Sequence, residues 1–425
     1  MSSKLKRELG LLECTLAGVG IIIGAGIYTL IGKATAIAGN GVWLSFVLAA
    51  VAAVFTGLSY AELSSTYAKS SSGEFTYASK AFGKRTAFTT GWLVLFAGIV
   101  GSAAVALGFA GYFAALTNLP VVPVAIALVL LSSVISYVGI KQSTGIADAI
   151  TVLEVLGLVA IILLGAGLVS HVDFTHIGEF PNVLNAASLL FFAFIGFEGI
   201  IKLSEETRAP EKTIPTALLL SIAITAVLYI LTAVSALSIL GSQALGASTA
   251  PIAEVAAKAL HANSAQAFAV LGIIALFSTA NTVLLLLVTT SRLFYGMAKE
   301  GGLPKLLAAV HSRRQTPHLA ILLTAVATIA FVLLGNIEFA ARLTDFAVFA
   351  VFIAVNLAAI ILRVKNPNLH RPFKMPFAIN NVPITAVLGV LTCAALSLSL
   401  GLEIIAGGLI VTLIGLGITA LPKKN

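Results

Sequence analysis

The chain has 425 residues, of which 59% are hydrophobic and 10% charged, and its formal net charge is +8. A soluble protein carries roughly 25% charged residues, so there is too little polar surface here to cover a globule in water, and lipid is the solvent for much of the chain. The basic residues lie between apolar segments rather than in one patch, which argues against a nucleic-acid surface, and the two cysteines, Cys14 and Cys393, give neither a disulfide framework nor a metal spacing.

Lys4, Lys6 and Arg7 precede the first apolar run, as in a signal peptide. The length of the run, the lack of a clear cleavage site and the many later spans identify it instead as a retained helix. Since about 20 apolar residues cross a bilayer, the predicted spans of the first half are 11–35, 41–66, 86–115, 121–140, 146–169 and 184–203. Those of the second half are 215–240, 265–294, 317–335, 340–362, 382–400 and 402–421. The last two form one apolar stretch, divided at Gly401-Leu402-Glu403. The expected fold is therefore an all-α membrane protein of 12 spans, forming a single transmembrane domain over 1–425.

An even count puts both termini on one side. With Lys4, Lys6 and Arg7 inside, that side also receives Lys69, Lys80, Lys84, Arg85, Lys141, Lys202, Arg208 and Lys212, the 292–314 group, and the Arg363–Lys374 and Lys423–Lys424 groups. That is 22 of the 25 basic residues, leaving only Lys33, Lys258 and Arg342 outside. The asymmetry predicts a multi-pass protein of the cell membrane with cytoplasmic termini. Loops such as 170–183, 241–264 and 295–316 leave no room for a soluble catalytic domain.

Within span 1, GVGIIIGAGIYTLIG (18–32) holds five glycines, each weakening a helix by roughly 1 kcal/mol relative to alanine. A dinucleotide fingerprint needs a strand and a soluble βαβ unit, which a membrane span does not offer. Two readings stay open: close helix packing through small residues, to which Gly18 is suited, and an unwound midpoint that exposes backbone to a ligand. Broken helices of the second kind recur in inverted-repeat transporters. Span 6, ASLLFFAFIGFEGIIKLSEE (187–206), again has glycines mid-span, Gly196 and Gly199, beside Glu198. Spans 1–5 (11–169) and 6–10 (184–362) then form a 5+5 inverted repeat, with spans 11 and 12 at 382–421 outside it. Free amides at a half-helix start favour a carboxylate, and free carbonyls at a half-helix end favour an ammonium. A zwitterionic amino acid presents both charges without requiring a charged side chain in the membrane.

Four stretches resemble the amino acid–polyamine–organocation superfamily of secondary transporters, whose fold is leucine-transporter-like. These are GIIIGAGIY (20–28), LSYAELSSTYAKSSSGEFTYASKAFGK (58–84), FFAFIGFEGIIKLSEETRAPEKTIPTA (191–217) and SRLFYGMAKEGGLP (291–304). The resemblance implies that amides of Gly24, Ala25 and Gly26, next to Ile23, hold a substrate carboxylate. It implies that carbonyls near Ile22, Phe192, Ala193 and Ile195 meet the ammonium, with Phe192 also the aromatic wall. Glu198 matches an acidic residue that some members use in gating.

Related proton-coupled members carry a lysine in the fifth span. Here Glu154 of ITVLEVLGLVAIILLG stands at or next to that place, and the span has no lysine. Three readings remain: a protonatable coupling group, a cation ligand together with Ser278, Thr279 and Thr282 of span 8, or a carboxylate that snorkels or pairs. Glu62, at the inner end of span 2, is a structural or gating charge. Asn281 would cap or bridge helices or reach the site. His171 and His176, with Asp173 between them, are a solvated loop rather than a metal site.

The expected function is thus secondary active transport of small or apolar neutral amino acids by alternating access, with proton symport. The alternatives are an amino acid or amine exchanger and a cation-coupled transporter. An enzyme is not expected, since no HExxH or GxSxG is present and no histidine lies deep within a span, and no P-loop points to direct use of ATP. No repeated pore loop suggests a channel. The expected partners are the amino acid and the lipid bilayer, with no cofactor, no nucleic acid and no obligate protein partner.

Overall fold

The computed structural model describes residues 9–67, 73–138, 144–204, 206–299 and 302–420. Lys4, Lys6, Arg7, Lys69, Lys141, Lys423, Lys424 and the His171 side chain lie outside the described part. The sixteen described helices are, in the first half, α1 (Leu11–Ile22), α2 (Ile31–Ala38), α3 (Val42–Thr66), α4 (Gly73–Phe82), α5 (Lys84–Thr117), α6 (Val121–Val138), α7 (Thr144–Gly165) and α8 (Phe180–Leu190). The second half supplies α9 (Pro210–Leu240), α10 (Ser242–Ala247), α11 (Pro251–Ala259), α12 (Ser264–Lys299), α13 (His318–Val332), α14 (Ile337–Lys365), α15 (Ile384–Leu398) and α16 (Leu402–Ala420).

Among the described residues nine helical segments are long and apolar enough to cross a membrane. One of them, Leu11–Thr66, contains α1, α2 and α3 together, while α13 and α15 are apolar but only 15 residues long. The one described sheet is a small hairpin, β1 (Ala378–Ile379) against β2 (Val382–Pro383). Asn380 and Asn381 turn it with positive φ at both positions, the geometry that matches strand twist and that asparagine tolerates.

The most extensive packing is of α3 on α9 and of α5 on both α12 and α14. On α6, α7 and α16, by contrast, Leu130, Leu131, Val134, Leu156, Leu163, Leu409 and Leu413 point outward, as a lipid-facing surface does. Leu11, Thr66, Lys84 and Lys365 mark one end of the bundle, called proximal because α1 starts there; Asn40, Asn118 and Asn336 mark the distal end.

Two stretches expected as loops are ordered differently. The 241–264 segment forms α10 and α11 and buries Leu245, Ile252, Val255 and Ala256. The 295–316 segment loses its first turn to α12, which runs on to Lys299. Their apolar content had no span length to signal it, but it packs against α2, α9 and α12. In the 170–183 loop, the Asp173 side chain accepts from the amide and hydroxyl of Thr175, at 2.9 and 2.6 Å. Those bonds hold its carboxyl below the usual range.

Candidate functional site

Two long helices of the bundle break at mid-depth. After Ile22 the chain becomes extended at Ile23 (φ −70°, ψ 115°), and a π-turn over Gly26–Leu30 follows before α2 begins. After Leu190 a 3₁₀ turn covers Phe191–Phe194, Ile195 is extended, and a second 3₁₀ turn covers Phe197–Leu203. Gly196 between them sits at φ +119°, a conformation in which a side chain is strained. Each break leaves first-turn amides and last-turn carbonyls without partners in their own helix.

The breaks lie against each other. A methyl group built on Gly26 would run into the backbone of Ala193, and one on Gly196 would lie 2.8 Å from Ile21 Cγ2. A methyl on Gly24 would lie 2.9 Å from Thr282 Oγ1, which brings α12 to the first break. From α9, the buried Tyr229 hydroxyl lies within donating distance of two carbonyls, 2.9 Å from Ile22 and 3.1 Å from Ala193. A single phenolic proton therefore bridges both breaks. The Phe192 carbonyl accepts from the Ile195 amide at 3.3 Å. Tyr229 itself packs edge-on to Phe194, 5.3 Å between centroids. Gly18 faces Ser221 and Ile200 at the α1–α9 crossing.

Aromatic rings anchor the second break. Phe191 meets Phe349 at 4.6 Å, Phe197 meets Phe352 at 5.3 Å, and Tyr60 meets both Phe197 and Phe352 at 5.6 and 5.5 Å. Phe192 is buried with only 8% exposure. The proximal ends of the two broken helices are tied as well. The Leu9 amide donates to Glu206 at 3.1 Å, the Arg208 amide donates to Leu9 at 2.9 Å, and Cys14 Sγ lies 3.4 Å from Thr207 Oγ1.

Glu154 stands ten residues into α7, about 15 Å from its start, and is 2% exposed. The Ser278 hydroxyl approaches its carboxylate but closes no regular hydrogen bond, so Oε2 of Glu154 and Oγ of Ser278 are both unsatisfied among the described residues. Thr279 and Thr282 donate back to their own helix, to Ala275 at 2.6 Å and Ser278 at 3.0 Å, leaving their oxygen lone pairs available. Tyr28, just past the first break, donates to the Glu154 carbonyl at 3.3 Å, and Tyr112 donates to the Tyr28 carbonyl at 2.6 Å. Thr29 donates to the Ala25 carbonyl. The first break, Glu154 and the α12 hydroxyls are thus one connected region.

Glu198 folds back to accept from the Gly196 amide at 3.0 Å. It also lies in the field of Glu74 on α4, whose Oε1 accepts from the Tyr60 hydroxyl at 3.1 Å. Glu62 takes a separate role at the proximal end. Its carboxylate meets Arg371 Nε at 3.1 Å, Arg363 Nη1 at 3.4 Å and the Met375 amide at 2.8 Å, clasping the 366–383 segment to α3. Asn281 is half-buried on α12. Among the described residues no three His, Cys, Asp or Glu side chains gather as a metal site.

Residues that sequence reasoning passed over are Tyr229, Tyr60, Tyr28, Tyr112, Glu74 and Asp345. The tyrosines carried no local signal: Tyr28, Tyr112 and Tyr229 act on backbone far away in sequence, and Tyr60 meets Glu74 only once α4 folds against α3. Asp345 did carry one: an acid inside an apolar span.

The family profile described as "Amino acid permease" matches residues 9–419. The chain belongs to the amino acid permease family. This permease is 32% identical to the branched-chain amino acid permease BcaP of Bacillus subtilis, over 99% of the permease and 94% of BcaP. It is 28% identical to the methylthioribose transporter of the same organism, over 92% and 88% of the two chains. Against human cationic amino acid transporter 4 the identity is 30%, over 85% of the permease and 61% of the human protein. It is a multi-pass membrane protein, and relatives named as permeases and transporters point away from an enzyme.

Proposed function

We propose that this permease is a secondary active transporter that carries a small or apolar neutral amino acid across the cell membrane by alternating access, in symport with protons. The observation that carries the reading is the meeting of the two breaks, Gly24–Gly26 against Ala193 with Tyr229 between their carbonyls. Amides of Gly24, Ala25 and Gly26 receive the substrate carboxylate at the positive end of a half-helix. Carbonyls of Ile22, Ala193 and Ile195 receive the ammonium, and Phe192 covers the substrate. Tyr229 acts as the internal donor that holds two of those carbonyls while no ammonium is bound.

The fold reading that goes with this function is twelve crossings in a 5+5 inverted repeat, with α15 and α16 outside it and both termini cytoplasmic. It is supported by breaks at two places and by the basic residues gathered at the proximal end. Glu154 serves as the proton-carrying group. It is deeply buried with no basic partner among the described residues, and a neutral acid is the form that such surroundings accommodate. Similarity to BcaP favours branched-chain amino acids within the neutral class.

Uptake by purified permease in proteoliposomes tests this, using the twenty amino acids with and without an imposed pH gradient. Accumulation of neutral amino acids that a protonophore abolishes is expected. Lack of uptake of every amino acid under both conditions would overturn the reading.

A further inference from the structure

Asp345 lies on α14, eight residues from its distal start, and is 0% exposed. Neither carboxyl oxygen has a hydrogen-bond partner among the described residues. An ionised carboxylate so placed has lost its water and gained no donor, a cost that a protein avoids by protonating the group. One turn toward the distal end, on the same helix face, is Arg342. Its Nε binds Glu338 Oε1 at 2.9 Å and its Nη2 binds Asn185 Oδ1 at 2.7 Å, while Nη1 has no partner among the described residues. Asn185 belongs to α8, the distal half of the second broken helix, and its own amide donates to the Ser399 carbonyl at 3.1 Å. Beside Arg342 a cavity of about 420 Å³ is lined by Asn336, Glu338, Phe339, Gly401 and Glu403.

We propose that Asp345 is a proton-binding site of the permease, reached from the distal cavity past Arg342, with Arg342 as its counter-ion once the proton has left. Protonated Asp345 leaves Arg342 on Asn185, so the distal half of the broken helix stays latched to α14. When Asp345 gives its proton to water, the carboxylate attracts the guanidinium whose Nη1 is free, and the latch on Asn185 loosens. The inference rests on the proton-symport reading and adds a second proton site, separate from Glu154 on α7.

Other charges do not account for the acid. The helices packed on α14 carry Tyr60 and Glu62 on α3, Glu74, Tyr77 and Lys80 on α4, Lys84, Arg85 and Tyr112 on α5, Cys393 on α15 and Glu403 on α16, while α8 carries no titratable group. Among the described residues, Arg342 is the charged group that acts on Asp345.

Infrared difference spectroscopy of the reconstituted permease across a pH jump reads the site directly. The expected result is a buried carboxylic-acid carbonyl band that Asp345→Asn removes and Glu154→Gln retains. The same band in wild type and Asp345→Asn would overturn the proposal. Should that variant fail to fold, Asp345→Glu serves instead: a changed band frequency supports the assignment and an unchanged one overturns it. A wild type that transports no amino acid would sink the transport reading, yet the band would still decide Asp345. Arg342→Gln should keep the band but carry it to higher pH, because the ionised carboxylate loses its counter-ion; an unmoved pH dependence of the band removes Arg342 from the site.

Discussion

Tyr229→Phe removes one oxygen and nothing else from the point where the two breaks meet. In the wild type that hydroxyl stands 2.9 Å from the Ile22 carbonyl and 3.1 Å from the Ala193 carbonyl, and the ring is fully buried. Phenylalanine keeps the packing against Phe46 and Phe194 but leaves two buried acceptors without their shared donor. Leaving a buried acceptor unsatisfied costs about 1–3 kcal/mol, which corresponds to about a 5- to 150-fold shift away from this conformation at 1.4 kcal/mol per tenfold. Cys14 offers a natural reporter, since it is buried on α1 beside Thr207. With Cys393 replaced by serine, maleimide labelling of Cys14 should accelerate in Tyr229→Phe by a factor in that range. A saturating amino acid, whose ammonium takes the freed carbonyls, should bring the rate back down. Equal labelling rates in the two proteins would refute the idea that Tyr229 bridges the breaks energetically.

Three further outcomes follow from the same geometry. Glu62→Gln leaves Arg363 and Arg371 buried beside a neutral amide, where loss of a buried partner costs about 3–5 kcal/mol; a markedly lower melting temperature in detergent is expected, and an unchanged one would show that the 366–383 clasp is not held by charge. Gly196→Ala meets both a strained φ of +119° and Ile21 at 2.8 Å, whereas Gly199→Ala meets Ile21 at an ordinary 3.5 Å. The first should lose about 1–3 kcal/mol and the second little, read from thermal unfolding; equal losses would contradict the strain argument. Glu154→Gln should retain amino-acid counterflow while losing acceleration by a pH gradient, and unchanged proton dependence would take Glu154 out of coupling.

Composition and apolar run lengths made the membrane class legible, and the glycines of 18–32 and 196–199 marked where the two helices break. Local sequence held that information, because glycine weakens a helix wherever it stands. It did not hold the partners of the exposed backbone. Tyr229 reads as an unremarkable aromatic in an apolar helix, and only the packing of α9 on α1 puts its hydroxyl on Ile22. Likewise 241–264 is too short in apolar residues to cross a membrane, so its role as buried α10 and α11 depends on neighbours that the sequence does not name. Asp345 was missed for another reason. It stands inside an apolar span, but only the fold shows that its neighbour Arg342 is turned to Glu338 and Asn185.

The central claim is that two broken helices together read the two charges of an amino-acid backbone. Binding to the purified permease tests it most directly, comparing leucine with leucine amide and N-acetyl-leucine, and then other neutral amino acids with their matching derivatives. The account predicts saturable binding of intact amino acids and loss of binding when either the carboxylate or the ammonium is blocked. Derivatives that bind as tightly as the intact amino acids would contradict it.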